Sequence, residues 1–145
     1  MNAKAAAKQD FMPLMRELVR TYQAFAAYDA AGYRGTGLTV PQADVLFTLG
    51  DQDALTFKAI GEKSLITKGT LTGVVDRMEQ KGLVRRVNCP VDRRCVRATL
   101  TEQGNSLFER EFPRQIAHMK SRFGRLSKAE QQQALESLRK LRSIF

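Results

Sequence analysis

The chain has no tryptophan, a single histidine (His118) and only two cysteines (Cys89 and Cys95) in 145 residues. Two cysteines cannot build a disulfide framework, and a reducing cytosol would keep them as thiols at rest. One histidine and two cysteines at no recognised ligand spacing argue against a permanent metal site. No apolar run approaches the ~18 residues that a transmembrane helix needs, and no signal-peptide apolar segment opens the chain. A cytoplasmic protein away from the membrane is the expectation. Hydrolase elbow, phosphate-binding glycine loop and paired-carboxylate spacing are also missing, so an enzyme is not expected and no cofactor is implied. Acids are scarce relative to bases, 15 against 24, for a formal charge of +9 and a pI near 10.0. That balance favours a polyanionic partner or an anionic surface. The 43% of hydrophobic residues is enough for a folded core, and the length suits one domain, alone or with helical extensions.

The most informative stretch is 64–104. From Leu71, the apolar residues Val74, Val75 and Met78 follow at i+3, i+4 and i+7, one face of an α-helix. The opposite face carries Lys68, Thr70, Thr72, Asp76 and Arg77, short or charged groups free to meet a partner. Lys81-Gly82 reads as the helix C-terminus. Val84 and Val87 then alternate loosely with Arg85 and Arg86, and Val96, Ala98 and Leu100 with Arg97 and Thr99. Turn residues 88–92 lie between. Residues 76–97 hold seven arginines or lysines against three acids, so the two-stranded ribbon is basic. A helix followed by such a ribbon suits a helix in the DNA major groove with a wing beside it. A basic helical protein acting on membranes would instead carry its charge on long amphipathic helices.

The flanking segments read as helical. A helix is predicted from Asp10 with Pro13 in its first turn, ending before Gly32. Its wide apolar band from Phe11 to Ala26 exceeds what one small core needs. Gly32 to Gly37 is turn-rich. Thr39 and Gln42 form a capping box for the next helix, and a short helix runs from Thr56 to about Glu62. After the ribbon, Thr101 caps a helix with Leu107, Phe108, Phe112, Ile116 and Met119 as its stripe, which Pro113 is predicted to kink or break. Gly124 ends it. Ser127-Lys128-Ala129-Glu130 is a capping box, with Leu126 placed for a hydrophobic staple, and opens a last helix that carries Ala134, Leu138, Leu141 and Phe145. The fold class expected is mainly α with a small β-ribbon: a winged helix-turn-helix over 38–100, with dimerisation helices at 10–31 and 101–145 burying their broad apolar faces across a two-fold axis. The blander alternatives are a plain helical bundle and a monomer whose termini fold back on its own core.

The run Leu71-Thr72-Gly73-Val74-Val75-Asp76-Arg77-Met78-Glu79-Gln80-Lys81-Gly82-Leu83-Val84, with Asp92-Arg93-Arg94 leading into Leu100-Thr101-Glu102-Gln103-Gly104, resembles the MarR family of transcriptional regulators. The resemblance covers essentially the whole domain. It implies a homodimer, usually a repressor, that binds an inverted-repeat (pseudo-palindromic) site in double-stranded DNA. Many members release DNA when a small, often phenolic or aromatic, compound enters the crevice between the dimerisation helices and the winged domain. Others respond to cysteine oxidation, and some use a metal. Cys89 and Cys95 are not general features of the family, and Val91 stands in the wing turn where a polar residue is common. Gly69 and Gly73 cost the recognition helix roughly 1 kcal/mol each in propensity.

Lys68, Thr70 and Thr72 are the candidates for base-edge contacts: lysine donates to guanine O6 or N7, and threonine offers a hydroxyl and a methyl. Arg77 is assigned to a phosphate. Arg93 or Arg94 is the minor-groove probe, drawn by the negative potential of a narrow groove. Asp92 supports the wing by pairing with one of the two arginines; the resemblance favours Arg94, and the residues alone do not separate them. Candidates for an effector crevice are Tyr22, Tyr28, Tyr33, Phe47 and His118, against ordinary core packing for Tyr22 and Phe47 and a packed or interfacial place for His118. Cys89 and Cys95 flank the wing turn, where neighbouring arginines favour a thiolate and oxidation would alter the wing; the plain alternative is two incidental small residues. Three readings therefore stand: an effector-relieved repressor, a redox-sensing regulator through Cys89 and Cys95, and a constitutive DNA-binding protein of the same fold.

Overall fold

Four helices begin by the same device, a hydroxyl that accepts the backbone amide three residues on. Thr39 Oγ1 receives Gln42 N (3.3 Å), Thr56 receives Ala59 N (3.1 Å), Thr101 receives Gly104 N (3.0 Å) and Ser127 Oγ receives Glu130 N (3.2 Å). Each satisfies an amide that the first helical turn leaves unpaired. At Thr39 and Ser127 the side chains of Gln42 and Glu130 reach back to the cap amide and complete a capping box. Those hydrogen bonds from the Ser127 backbone and hydroxyl lower the pKa of the Glu130 carboxyl.

The computed structural model describes residues 1–64 and 66–145. In chain order its elements are α1 (Ala3–Ala6), α2 (Met12–Gly32), α3 (Val40–Leu49), β1 (Leu55–Thr56), α4 (Phe57–Lys63), α5 (Lys68–Gln80), β2 (Val84–Asn88), β3 (Val96–Leu100), α6 (Glu102–Phe123) and α7 (Lys128–Arg142). The sheet is antiparallel with order β1-β3-β2, and its hairpin register sets Val84 opposite Leu100 and Asn88 opposite Val96. The ribbon is therefore three strands rather than two, because Leu55 and Thr56 pair with Ala98 and Arg97 just before Thr56 caps α4.

Three helical boundaries differ from the sequence reading. The second helix begins at Met12 rather than Asp10, with Pro13 in the first turn, where a missing amide costs nothing. It includes Gly32, because Tyr33 forms the C-cap through its amide to Ala30 O (3.2 Å). Pro113 does not break α6, which is continuous through it. Pro113 and Glu109, whose carbonyl loses its amide donor, are both exposed, so the loss falls on the solvent side of the helix rather than in the core. The staple at Leu126 is also absent, because the position it would meet is polar. Gln131 donates instead to Leu126 O (3.0 Å) and Phe123 O (3.1 Å).

The core lies wholly within the middle of the chain. Val45, Leu46 and Leu49 of α3, Ile60 of α4, and Leu71, Val74, Val75 and Met78 of α5 pack with Val84, Ala98, Leu100 and Phe108. Gly82 has φ +74° and closes α5. Its amide reaches Glu79 O (2.9 Å) while that of Leu83 reaches Met78 O (3.0 Å), a Schellman ending that turns the chain directly into β2. By contrast α2 and α7 bury no residue in the single chain. Leu14, Met15, Val19 and Tyr22 of α2 and Leu138 of α7, with Ile144 just beyond it, remain exposed.

Candidate nucleic-acid interface

Helix α5 turns its apolar stripe inward and leaves Lys68, Thr70, Thr72 and Arg77 exposed. Among the described residues Lys68 and Arg77 have no ion-pair partner, so their charges face solvent uncompensated. Thr70 shares a hydrogen bond with the Thr67 hydroxyl (3.1 Å) at the start of the helix. A Cβ placed on Gly69 or Gly73 would meet nothing within 4 Å, so packing inside this chain does not require either glycine.

Asp76 is not free to meet a partner, contrary to the sequence reading. Arg86 reaches from β2 back to α5, where its guanidinium pairs with Asp76 and with Glu79 (2.8 Å). Its amide also donates to Glu79 Oε2 (3.2 Å), and its guanidinium carbon lies 5.6 Å from the Phe57 ring centroid of α4. The hydrogen bond to Asp76, with the Glu79 carboxylate, raises the pKa of Arg86 further. The positive charge of Arg86 is thus used internally, and the residue braces the hairpin against both helices of the helix-turn-helix. Sequence reading counted it among the ribbon cations and missed this role. The i, i+3 acids at 76 and 79 were the available signal, since they place two carboxylates on one side of α5.

The hairpin tip is tied in three ways. Register next to Asn88 and Val96 makes Cys89 and Cys95 the following facing pair, and they are joined by a disulfide with Cα atoms 5.4 Å apart. The expectation of two thiols at rest is corrected here: strand pairing in the hairpin brings the two residues together. Cys89 N donates to Cys95 O (3.2 Å), and Cys95 N to Asp92 O (3.1 Å). Asp92 does support the turn, but through its carboxylate accepting the Arg94 amide (2.9 Å); it forms no ion pair with Arg93 or Arg94 among the described residues. An amide two residues on is closer to a carboxylate than a long side chain that must fold back, the usual Asx-turn geometry. Arg93 and Arg94 are both left exposed, as is Val91.

The five aromatic candidates do not converge on one cavity. Tyr28 and His118 stack with centroids 4.0 Å apart, tying α2 to α6, and His118 Nε2 lies 2.8 Å from Tyr28 O. The Tyr28 hydroxyl donates to His118 O (3.0 Å), and the Arg122 guanidinium carbon lies over the Tyr28 ring, 4.7 Å from its centroid. Phe47 packs against Phe112 (5.1 Å) and Phe108 (6.4 Å). Tyr33 is buried and donates to Asp29 Oδ1 (3.2 Å); burial and that carboxylate push its pKa up. Tyr22 is not core. It lines an open cavity of about 430 Å³ between α2, α3 and the start of α5, with Phe25, Asp29, Pro41, Asp44 and Thr70 among its walls. Burial, then the neighbouring Asp29, pushes the Asp44 carboxyl up to about 6. Sequence reading passed over Asp29 and Asp44, although Tyr22, Ala26 and Asp29 share one helical face by spacing.

An amphipathic recognition helix braced to a basic hairpin defines the class: a winged helix-turn-helix DNA-binding protein. The MarR family model matches residues 38–96, the segment that holds this arrangement. The transcriptional regulator MhqR of Bacillus subtilis is 36% identical over 98 residues, 68% of this chain and 66% of that protein, so the chain spans just under two thirds of it. The solved structure of BpsR from Bordetella bronchiseptica, described as regulated in its DNA binding by 6-hydroxynicotinic acid, is 32% identical. It superposes with a TM-score of 0.78 over 89% of this chain and 98% of that one. Sco3205 of Streptomyces coelicolor, a MarR-family regulator solved in complex with DNA, shares the fold at a TM-score of 0.79 and 23% identity, covering 99% of this chain and 91% of its own. The chain belongs to the MarR family of DNA-binding transcriptional regulators.

Proposed function

We propose that the protein is a homodimeric repressor of an inverted-repeat operator, released from DNA by a small effector. The observation that carries this reading is the braced unit itself. One face of α5 is buried, the other offers Lys68, Thr70, Thr72 and Arg77, and Arg86 holds that helix to a hairpin whose tip carries Arg93 and Arg94. In this reading Lys68, Thr70 and Thr72 read base edges, Arg77 holds a phosphate, and one of Arg93 and Arg94 enters the minor groove. Residues 38–100 form the DNA-binding region. The helices on either side, 10–31 and 101–145 by the sequence reading, form the dimer interface, supported by the apolar faces of α2 and α7 that the single chain leaves uncovered. An effector in the Tyr22 cavity would touch α2, α3 and the N-terminal end of α5 together, so it would sense the spacing between dimer helices and recognition helix. The regulation of BpsR by a small aromatic acid supports an effector of this general size.

Selection of bound fragments from a random duplex pool tests the proposal. The expected outcome is an enriched inverted repeat whose half-sites lie about one helical turn, or a multiple, apart. Equal recovery of all sequences at physiological salt would remove the operator reading.

The disulfide favours a second reading, regulation by oxidation of the wing. Two thiols would lose two protons and two electrons to an organic hydroperoxide, closing the Cys89–Cys95 bond and leaving an alcohol and water.

A further inference from the structure

The cavity beside Tyr22 has an unusual electrostatic character for a small-molecule site. Its ionisable wall groups other than tyrosine are Asp29 and Asp44; no lysine, arginine or histidine lines it among the described residues. Asp29 is held in place from behind, where its Oδ1 accepts both Gln115 Nε2 (2.7 Å) and the Tyr33 hydroxyl (3.2 Å). Oδ2 of Asp29 receives no donor from the described residues, nor does either oxygen of Asp44. Gln115 is itself buried, so the carboxylate is fixed by a buried amide that spans α6 and α2.

The opposing consideration is the N-terminus of α5, since Thr67 and Thr70 also line the cavity and a helix start favours anions. Its strength is equivalent to about half a positive charge, against two carboxylates. The local field therefore disfavours a further anion; burial first, and then the Asp29 charge, holds the Asp44 carboxyl up near 6. The remaining walls are apolar or aromatic, and Tyr22 and Phe25 supply rings of the kind that attract a positive group over their faces. An arylalkyl carboxylate would bring a third negative charge into this space with no cation to meet it. An ammonium would meet two acceptors and two rings.

We propose that this cavity is a binding site for a compact aromatic molecule that bears an ammonium group, with Asp44 and the free oxygen of Asp29 as its counter-charges, and that it discriminates against aromatic carboxylates. This rests on the effector reading above and adds the chemical class of the ligand. Occupancy would place the ligand's charge at Asp44 and Asp29 in a space that α2, α3 and the start of α5 enclose together, so the same molecule contacts the dimer helix and the start of the recognition helix.

The test is calorimetric titration of the full chain near neutral pH with three probes that share one phenol ring: tyramine (ammonium), tyrosol (neutral) and 4-hydroxyphenylacetate (carboxylate). Tyramine is expected to bind at least about tenfold more tightly than the carboxylate, with tyrosol between them, tenfold corresponding to about 1.4 kcal/mol. Asp44→Asn is expected to weaken tyramine about tenfold and change tyrosol less than about twofold; Asp29→Asn serves as the second variant, and circular dichroism confirms that each is folded. Equal or tighter binding of 4-hydroxyphenylacetate overturns the charge preference and leaves the effector crevice standing. A tyramine preference that survives both substitutions overturns the assignment to these carboxylates. If none of the three probes binds up to about 10 mM, the crevice reading fails as well, and the proposal with it.

Discussion

Thr72 and Arg77 are both exposed on α5, yet their chemistry assigns them different work. A hydroxyl and a methyl distinguish bases, whereas a guanidinium facing a phosphate does not. Thr72→Ala is expected to cost roughly 1–3 kcal/mol on the selected operator and little on random DNA, while Arg77→Ala weakens both alike and lowers the salt slope by about 1. Competition binding across a salt series reads both; equal losses on the two DNAs for Thr72→Ala would contradict its role in base reading. Gly104 tests packing instead. A Cβ there would overlap the Leu83 carbonyl, which is backbone and cannot swing aside. Gly104→Ala should therefore destabilise the fold by about 3 kcal/mol, visible in urea unfolding, because overpacking a close contact forces backbone shifts. Asp44 carries a pH signature. Burial holds its folded pKa at about 6, above the 3.8 of a free aspartate carboxyl, so its contribution to stability is fully present below about 4 and is lost as pH rises through 6. Asp44→Asn should raise the Tm relative to wild type near pH 7.5 and leave it unchanged near pH 4; a Tm gain at pH 4 equal to that at pH 7.5 would show that titration is not the cause.

At the scale of elements, the hairpin is stiffened by strand pairing, the Asp92 turn and the disulfide, and is joined to α5 by Arg86. These supports act at different places: Arg86 from the middle of β2, the disulfide at the tip beyond Asn88. Losing the disulfide should therefore leave the fold intact and alter only how Arg93 and Arg94 are presented. If oxidation regulates, the hydroperoxide-treated wild type will bind operator more weakly than the protein in dithiothreitol, and Cys89→Ser will respond to neither reagent. Equal operator affinity of oxidised and reduced wild type would leave the disulfide a structural tie alone. Pro113 shows a related independence. The helix accepts it because the unpaired carbonyl of the preceding turn faces water, so sequence position mattered less than which side of α6 it occupies.

For the molecule as a whole, the core is complete within the central segment while two helices keep their apolar sides bare. Leu14 and Leu138 are 56% and 55% exposed, more than solitary surface leucines on scattered positions would require explaining, because each belongs to a row of similarly exposed neighbours. Leu14 and Leu138 line separate parts of one groove between α2 and α7. Leu14→Glu combined with Leu138→Glu is expected to turn a two-chain species into a folded single chain at micromolar concentration, and to weaken operator binding by removing the second half-site contact. Sedimentation velocity reads the mass. Wild type sedimenting as one chain at that concentration would overturn the homodimer.

Local chemistry was enough to place the helix caps at Thr39, Thr101 and Ser127, the inward stripe of α5, and the glycine that ends it, because each depends on neighbours within four residues. Charge density alone likewise singled out the hairpin. What the tertiary structure decided is what joins separate elements: the third strand at Leu55, the Arg86 brace, and the meeting of Asp29 with Asp44 and Gln115. Periodicity reports which face of an element is apolar, but not which other element that face will meet. Partners of that kind are set by packing and by strand register, and neither is encoded within a single turn of helix or a single strand.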